Sequence, residues 1–323
     1  MPGVALPVFA VRSAQMMGIP GPWGTMAPVK ESATTRAIRR RYEVPDVLGL
    51  RADEREVLAW TPGREPAVRE VAARPDALPT SALGGRRALR RLADPAGALL
   101  VREYGKGGLF RAVRGRAMHG PWRPLQELVL HRRLAALGVP VASAVGAVVL
   151  RQSFGWRGFL VLEELVGARD LEAILHGLPV PDGRERRRVY EAAGRAVRAL
   201  HDAGVPHPDL HPKNILATAD GRVVLLDLDK ARPAEGPLGR AERLRNLLRL
   251  GRAIAKHRLK GLHLDVTDAV RFLEGYAGDR EAALLWLDRI DTRLRRGLGL
   301  RRTWWRLLGE ARPWRPPETE PAA

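Results

Sequence analysis

The chain has no cysteine, so disulfides and thiolate chemistry are both excluded, and a reducing compartment is the simpler setting. It has no apolar run near the roughly eighteen residues needed to span a bilayer. The N-terminal VALPVFAV is short and has no basic stretch before it, which makes a poor secretion signal. A cytoplasmic protein is expected. Lysine is scarce, with six among 55 basic residues, so the charge of +19 is carried by arginine. Two motifs are missing as well: no G-x-G-x-x-G loop and no Ala-Pro-Glu triplet occurs.

Two readings fit the basic charge. It suits an acidic partner such as a phosphorylated lipid or a membrane surface. It also suits a chain from a GC-rich genome, because Ala, Gly and Pro are abundant beside Arg. No basic tail or nucleic-acid motif stands out, so no nucleic-acid partner is expected. At 323 residues the chain is long enough for one two-lobed domain with appendages.

What is present is concentrated in residues 207–229, HPDLHPKNILATADGRVVLLDLD. Asp209 is followed by Asn214 and then by Asp227, and phosphoryl transfer from ATP uses such a set. One carboxylate orients the acceptor hydroxyl and takes its proton, while an amide oxygen and a second carboxylate hold Mg2+. The surroundings agree. A helix ending at Gly204 leads into a polar loop, and NILA and RVVLLDL flank a TADG turn as a hairpin.

Read in order, residues 1–75 carry scattered Pro and Gly and are expected to be a poorly ordered or accessory extension, with Met26 a candidate start. DVLGLRADEREVLAW reads as a short helix. Residues 76–165 read as a small lobe. LGGRRALRRLADPAGALLVREY gives two strands joined at Asp94-Pro95-Ala96-Gly97. Gly84 and Gly85 stand where a phosphate-covering loop would lie, or form an ordinary turn. The second strand offers Arg102, with Lys106 just beyond, as a phosphate-side base; alternatively Arg102 faces solvent on an edge strand. Arginine keeps the charge and adds a fork of donors. PLQELVLHRRLAALGVPV has apolar residues at 125, 128, 130, 134 and 137, a helical spacing that places Glu127 in the first turn as the partner of that base. ASAVGAVVLRQS and WRGFLVLEEL form a hairpin whose end, around Glu164 and Leu165, would meet adenine through backbone groups.

Residues 166–278 read as a helical large lobe. Val189, Ala193, Ala196, Val197 and Leu200 line one face of a long helix as core. Only about a dozen residues separate Asp229 from the next helix, too few for a peptide-binding activation loop, so a small-molecule, sugar or lipid acceptor is expected. Residues 279–323 form a helical extension in which Trp304, Trp305 and Trp314 mix with Arg. That pairing suits a lipid headgroup layer, or simply a terminal helix docked on the large lobe.

VREYGKGGLFRAV, the Glu127 helix running into LGVPVA, LEELVGARDL, HPDLHPKNIL, LLDLDKAR, RLRNLLRLGRAIAK and FLEGYA together resemble the lipopolysaccharide kinase family. That family includes the kinases of 3-deoxy-D-manno-octulosonic acid (Kdo) and of heptose. The resemblance covers roughly residues 80–278 and is nearest the Kdo kinase branch. It implies an α+β, two-lobed protein-kinase-like fold and ATP-dependent phosphorylation of a sugar hydroxyl on an anionic glycolipid, beside the inner membrane's cytoplasmic face. It implies Asp209 as base, Asn214 and Asp227 as metal ligands, and Glu127 with Arg102 as the phosphate-side pair. Two departures are visible: Pro208 replaces the usual Arg, and Asp-Leu-Asp replaces Asp-Phe-Gly. The alternatives are a phosphotransferase of the aminoglycoside or choline kinase type, and a membrane-associated pseudokinase.

Overall fold

The computed structural model describes residues 31–81, 89–105, 122–153, 155–177, 183–258 and 265–307. Ser32 accepts from the Thr35 N–H and caps α1 (Ala33–Arg41), which leads into β1 (Gly49–Ala52) and β2 (Glu56–Trp60). β2 pairs antiparallel with β1 on one side and with β5 (Ala144–Arg151) on the other. The expected short helix over this stretch is therefore a hairpin. EVLAW hides its period of two because both faces are buried: Val57 and Ala59 enter one core, Leu58 and Trp60 the other. Residues expected in an accessory extension supply two strands of the main sheet.

β3 (Arg90–Leu92), β4 (Leu99–Glu103) and β6 (Trp156–Glu163) complete six antiparallel strands in the order β1-β2-β5-β6-β4-β3. The β3–β4 turn is the expected one, with the Gly97 N–H donating to the Asp94 carbonyl at 2.9 Å. α2 (Glu65–Ala73) packs Ala67, Val68 and Val71 on one face of the sheet. α3 (Trp122–Ala136) packs Leu125 and Leu128 on the other. Leu137, counted with that apolar stripe, is 59% exposed, because the helix stops at Ala136 and Gly138 turns the chain at φ +72°. Leu130 and Leu134 point instead into the core of the large lobe.

In the large lobe, β7 (Arg169–Asp170) precedes the short α4 (Leu171–Leu175) and the long α5 (Gly183–Asp202). A 3-10 turn (Pro212–Asn214) then leads into the hairpin of β8 (Ile215–Ala217) and β9 (Val223–Leu225). α6 (Arg240–Arg258), α7 (Val266–Ala277) and α8 (Arg280–Leu307) follow. The apolar stripe of α5 is core as expected, with Val189, Ala193, Ala196, Val197 and Leu200 all buried. The first turns of α8 also reach it through Ala283, Trp286, Leu287 and Ile290. No helix among the described residues is long and apolar enough to cross a membrane.

α5 and α7 approach until backbone meets backbone. A Cβ added at Gly194 would lie 1.9 Å from the Phe272 carbonyl, and one at Gly275 would lie 2.0 Å from the Glu191 carbonyl. Helix interiors disfavour glycine by about 1 kcal/mol, so its presence twice at one crossing marks a packing requirement. Gly194→Ala should therefore lower unfolding free energy by about 1–3 kcal/mol through overpacking. Gly183→Ala, where the added methyl meets nothing within 4 Å, should leave it unchanged or slightly raised. Urea melts of both variants check the contrast.

Candidate active site

The loop carrying Asp209 is held by side chains, because it has no regular structure to hold it. Asn246 of α6 grips His207 from both directions: its Oδ1 accepts from the His207 N–H at 3.1 Å, and its Nδ2 donates to the His207 carbonyl at 2.8 Å. The imidazole then bridges two segments. Its Nδ1 accepts from the Asp209 N–H at 3.1 Å, so the proton sits on Nε2, which donates to the Leu226 carbonyl at 2.7 Å. Burial pushes the His207 imidazole below its usual pKa, in keeping with that neutral bridging form.

Asn214 makes the second connection. Its Nδ2 donates to the Asp209 carbonyl at 2.8 Å, and its own carbonyl accepts from the Leu226 N–H at 2.9 Å. The next residue, Asp227, has φ +57°, a left-handed conformation that Asp tolerates better than most residues. Strain of this kind collects at functional positions. Leu228 is buried in the large-lobe core, which fixes the backbone on the far side of the Asp227 carboxylate.

The small lobe reaches this segment through Arg102. Alternation along β4 buries Val101 on the α2 side and turns Arg102 toward α3. Its Nη2 lies 2.5 Å from Glu127 Oε2 and its Nη1 lies 2.7 Å from Asp227 Oδ1. The solvent-facing reading of Arg102 is thereby set aside. Tyr104 donates its hydroxyl to the same Glu127 oxygen. The guanidinium groups of Arg102 and Arg123 sit 5.2 and 5.1 Å from the Tyr104 ring centre. Arg123, near the start of α3, makes a two-pronged pair with Asp229. Burial drives the Glu127 carboxyl upward, but the Arg102 charge, the nearby His131 ring and the hydrogen bond from Tyr104 outweigh it and hold the group at about 2.

Two carboxylates, an amide and a cation tied to a helix glutamate are thus brought together, and these are the kinds of group that phosphoryl transfer uses. A match to known families follows the same lines. The model of the lipopolysaccharide kinase (Kdo/WaaP) family matches residues 80–296. The chain belongs to this family. It is 33% identical over 183 residues to a 3-deoxy-D-manno-octulosonic acid kinase of Photobacterium profundum, covering 55% of this chain and 74% of that one. It is 35% identical over 181 residues to a 3-deoxy-D-manno-octulosonic acid kinase of Xanthomonas oryzae pv. oryzae, covering 54% and 69%. A solved structure, "WaaP in complex with acyl carrier protein", is 25% identical with a TM-score of 0.47, over 71% of this chain and 97% of that one.

Of the lipopolysaccharide-kinase residues read from the sequence, Asp209, Asn214, Asp227, Arg102 and Glu127 lie in one connected cluster. Glu164 and Leu165 sit at the end of β6. There the Glu164 N–H donates to the Ala98 carbonyl at 2.9 Å, its carboxylate meets Arg91 at 2.8 Å, and the Leu165 carbonyl accepts from the Ala168 N–H. The Glu164 N–H is thus already committed within the protein. Gly84, Gly85 and Lys106 lie outside the described residues. Sequence reasoning missed Tyr104, Arg123, Asp229, Asn246 and Arg249. Among so many arginines, Arg123 and Arg249 carry no distinguishing mark. Asn246 did carry one, as a lone amide in an Arg/Leu-rich helix. Arg249 stands one helical turn beyond it, 3.5 Å from Asp209.

The depressed Glu127 carboxyl has a consequence for acid stability. Its folded value of about 2 lies below its ordinary 4.5, so the unfolded chain takes up the proton first as pH falls. The stabilisation is complete above about pH 4.5 and drains toward pH 2, at up to about 1.4 kcal/mol per pH unit. Denaturation midpoints measured from pH 5 to pH 3 should fall less steeply in Glu127→Gln than in the parent chain.

Proposed function

We propose that this chain transfers the γ-phosphoryl group of ATP to a hydroxyl of a lipopolysaccharide core sugar, with Asp209 taking the proton. As a lipopolysaccharide kinase it is an ATP-dependent phosphotransferase with an alcohol acceptor. The observation that carries the residue assignment is the convergence of Asp209, Asn214 and Asp227 with the Arg102–Glu127 pair across the two lobes.

The donors suit magnesium, a hard cation that prefers oxygen. The Asn214 amide spends its Nδ2 on the Asp209 carbonyl, which leaves Oδ1 as the outward donor, and Asp227 presents a half-exposed carboxylate. Magnesium held there would offset the charge of the phosphate oxygens. Arg102 contributes a second cation, oriented by Glu127 and Tyr104. Its bond to Asp227 is the one that incoming phosphate oxygens would compete for, since a guanidinium fork suits either anion.

The acceptor side is marked by Arg249. It lies 3.5 Å from the base, and both side chains are about half exposed or more. A guanidinium there would meet the carboxylate of an acid sugar while Asp209 meets its hydroxyl, which favours a Kdo-type acceptor over a neutral one. A glycolipid acceptor places the reaction at a membrane surface, and the excess of arginine over the whole chain favours peripheral contact with anionic headgroups.

Asp209→Asn should lower kcat by about 10²–10⁴-fold while the melting temperature stays within a few degrees. Asp227→Ala should abolish turnover with the fold intact. Arg249→Ala should raise KM for a Kdo–lipid A acceptor more than KM for ATP. Phosphate release from ATP and mass-spectrometric phosphate counts on the acceptor give these readouts. Near-normal turnover in Asp227→Ala would overturn the mechanism, and turnover of amino alcohols or aminoglycosides but not of Kdo–lipid A would overturn the acceptor.

A further inference from the structure

Beyond the phosphoryl-transfer residues, three donor groups meet where the Asp209 loop passes between α4 and α6. Glu172 lies in the first turn of α4, a helix started by Asp170, whose carboxylate accepts from the Ala173 N–H at 2.7 Å. His211 belongs to the loop itself, two residues past Asp209. His257 is the penultimate residue of α6. One donor atom from each lies within 4.8 Å of the others. Glu172 Oε2 is 3.1 Å from His257 Nε2 and 3.8 Å from His211 Nδ1. The two imidazoles approach edge to face, with centroids 5.3 Å apart.

The carboxylate at the centre is poorly provided for. The Glu172 side chain is 4% exposed, and its Oε2 makes no hydrogen bond. A buried charged oxygen without a hydrogen bond is destabilising. Lys213 approaches the other oxygen, Oε1, at 3.3 Å from the solvent side. His257 is itself oriented, since its Nδ1 faces His176 Nε2 at 3.3 Å. An imidazole held through one nitrogen and aimed through the other is the usual arrangement of a metal-binding histidine. His211 Nδ1 accepts a long 3.3 Å bond from the Lys213 N–H, a weak claim on that lone pair.

We propose that Glu172, His211 and His257 form a binding site for a borderline divalent cation, with Zn2+ the best fit, distinct from the Asn214–Asp227 pair. Two imidazole nitrogens and one carboxylate oxygen are the donors such ions select, whereas magnesium prefers oxygen throughout. Tetrahedral ligands about 2.1 Å from zinc stand about 3.4 Å apart, and the 3.1 and 3.8 Å separations straddle that spacing. A fourth position would face water. The three ligands come from three segments, so the ion would staple the loop bearing Asp209 to the helices on either side of it. The competing arrangement is a metal-free ion cluster, with a protonated His257 pairing to Glu172.

The test uses the full chain without a histidine tag, stripped with a chelator and titrated with Co2+, which reports its geometry in visible absorption, and then with Zn2+. The expected result is one equivalent of cobalt with the band intensity of four or five N/O ligands, displaced by zinc and not by millimolar magnesium. Asp227→Ala should keep this binding. His257→Ala should lose more than about tenfold in affinity and His176→Ala about tenfold, and zinc should raise the melting temperature of the parent chain but not of His257→Ala. The proposal is overturned if the parent chain binds no cobalt, or if Asp227→Ala removes the binding while His257→Ala keeps it. Should His257→Ala fail to fold, the parent chain, Asp227→Ala and His176→Ala decide the matter among themselves.

Discussion

The guanidinium of Arg102 is the point on which the arrangement depends. It stands on β4 in the small lobe, meets Glu127 on α3 and meets Asp227 after β9 in the large lobe. Three elements distant in sequence are brought to one planar group with donors on several edges. Paired buried charges are weak evidence for stability as such, but removing one partner from such a set is costly, because a charge is then stranded out of water. The set therefore has to be complete. Tyr104 completes it on the Glu127 side, with a hydroxyl that burial keeps protonated and thus a donor.

α3 is a second consequence of the same logic. Its start is tied to the large lobe by the Arg123–Asp229 pair. Its end is tied by the segment that follows, where the Leu225 N–H donates to the Pro140 carbonyl and the Ala142 N–H donates to the Leu225 carbonyl. Asp229 stands where a protein kinase would have the glycine of Asp-Phe-Gly, so the residue that departs from that pattern is the one that anchors the helix. A helix pinned at both ends delivers Glu127 to Arg102 without an activation segment to hold it there. The ten residues between Asp229 and α6 then have no such task left to perform.

Much of this was legible in the sequence, and the exceptions have physical causes. The Asp209–Asn214–Asp227 spacing, the hairpin between them and the Glu127 helix could be read because each combines a local pattern with a chemical need. The β1–β2 hairpin could not, since a strand buried on both faces loses its alternation and EVLAW then looks as helical as it does extended. Asn246 stood out as a lone amide, but what it and Arg249 do exists only because α6 crosses behind the Asp209 loop, and no local pattern records a crossing. Composition hid the rest: when arginine supplies nearly all of the basic charge, the few arginines with a buried partner look like the many without one.

The two halves of the site are fixed to different bodies, and this bears on how the chemistry is divided. Asp209 and Asn214 are referenced through His207, Asn246 and the β8–β9 hairpin, all of which belong to the large lobe. Asp227 is referenced to the large lobe by its backbone, through Leu226 and buried Leu228, and to the small lobe by its carboxylate, through Arg102. A small rotation between the lobes would leave the distance from Asp209 to Asn214 untouched, because both ends move together. The same rotation would change the distance from Arg102 to Asp227 directly. The Asp209–Asn214 pair is thus built into a rigid frame, while the Arg102–Asp227 contact lies across the joint. The joint is spanned both by Arg102 to the half-exposed Asp227 carboxylate and by Arg123 to Asp229, and Arg102 is the one that also holds Glu127.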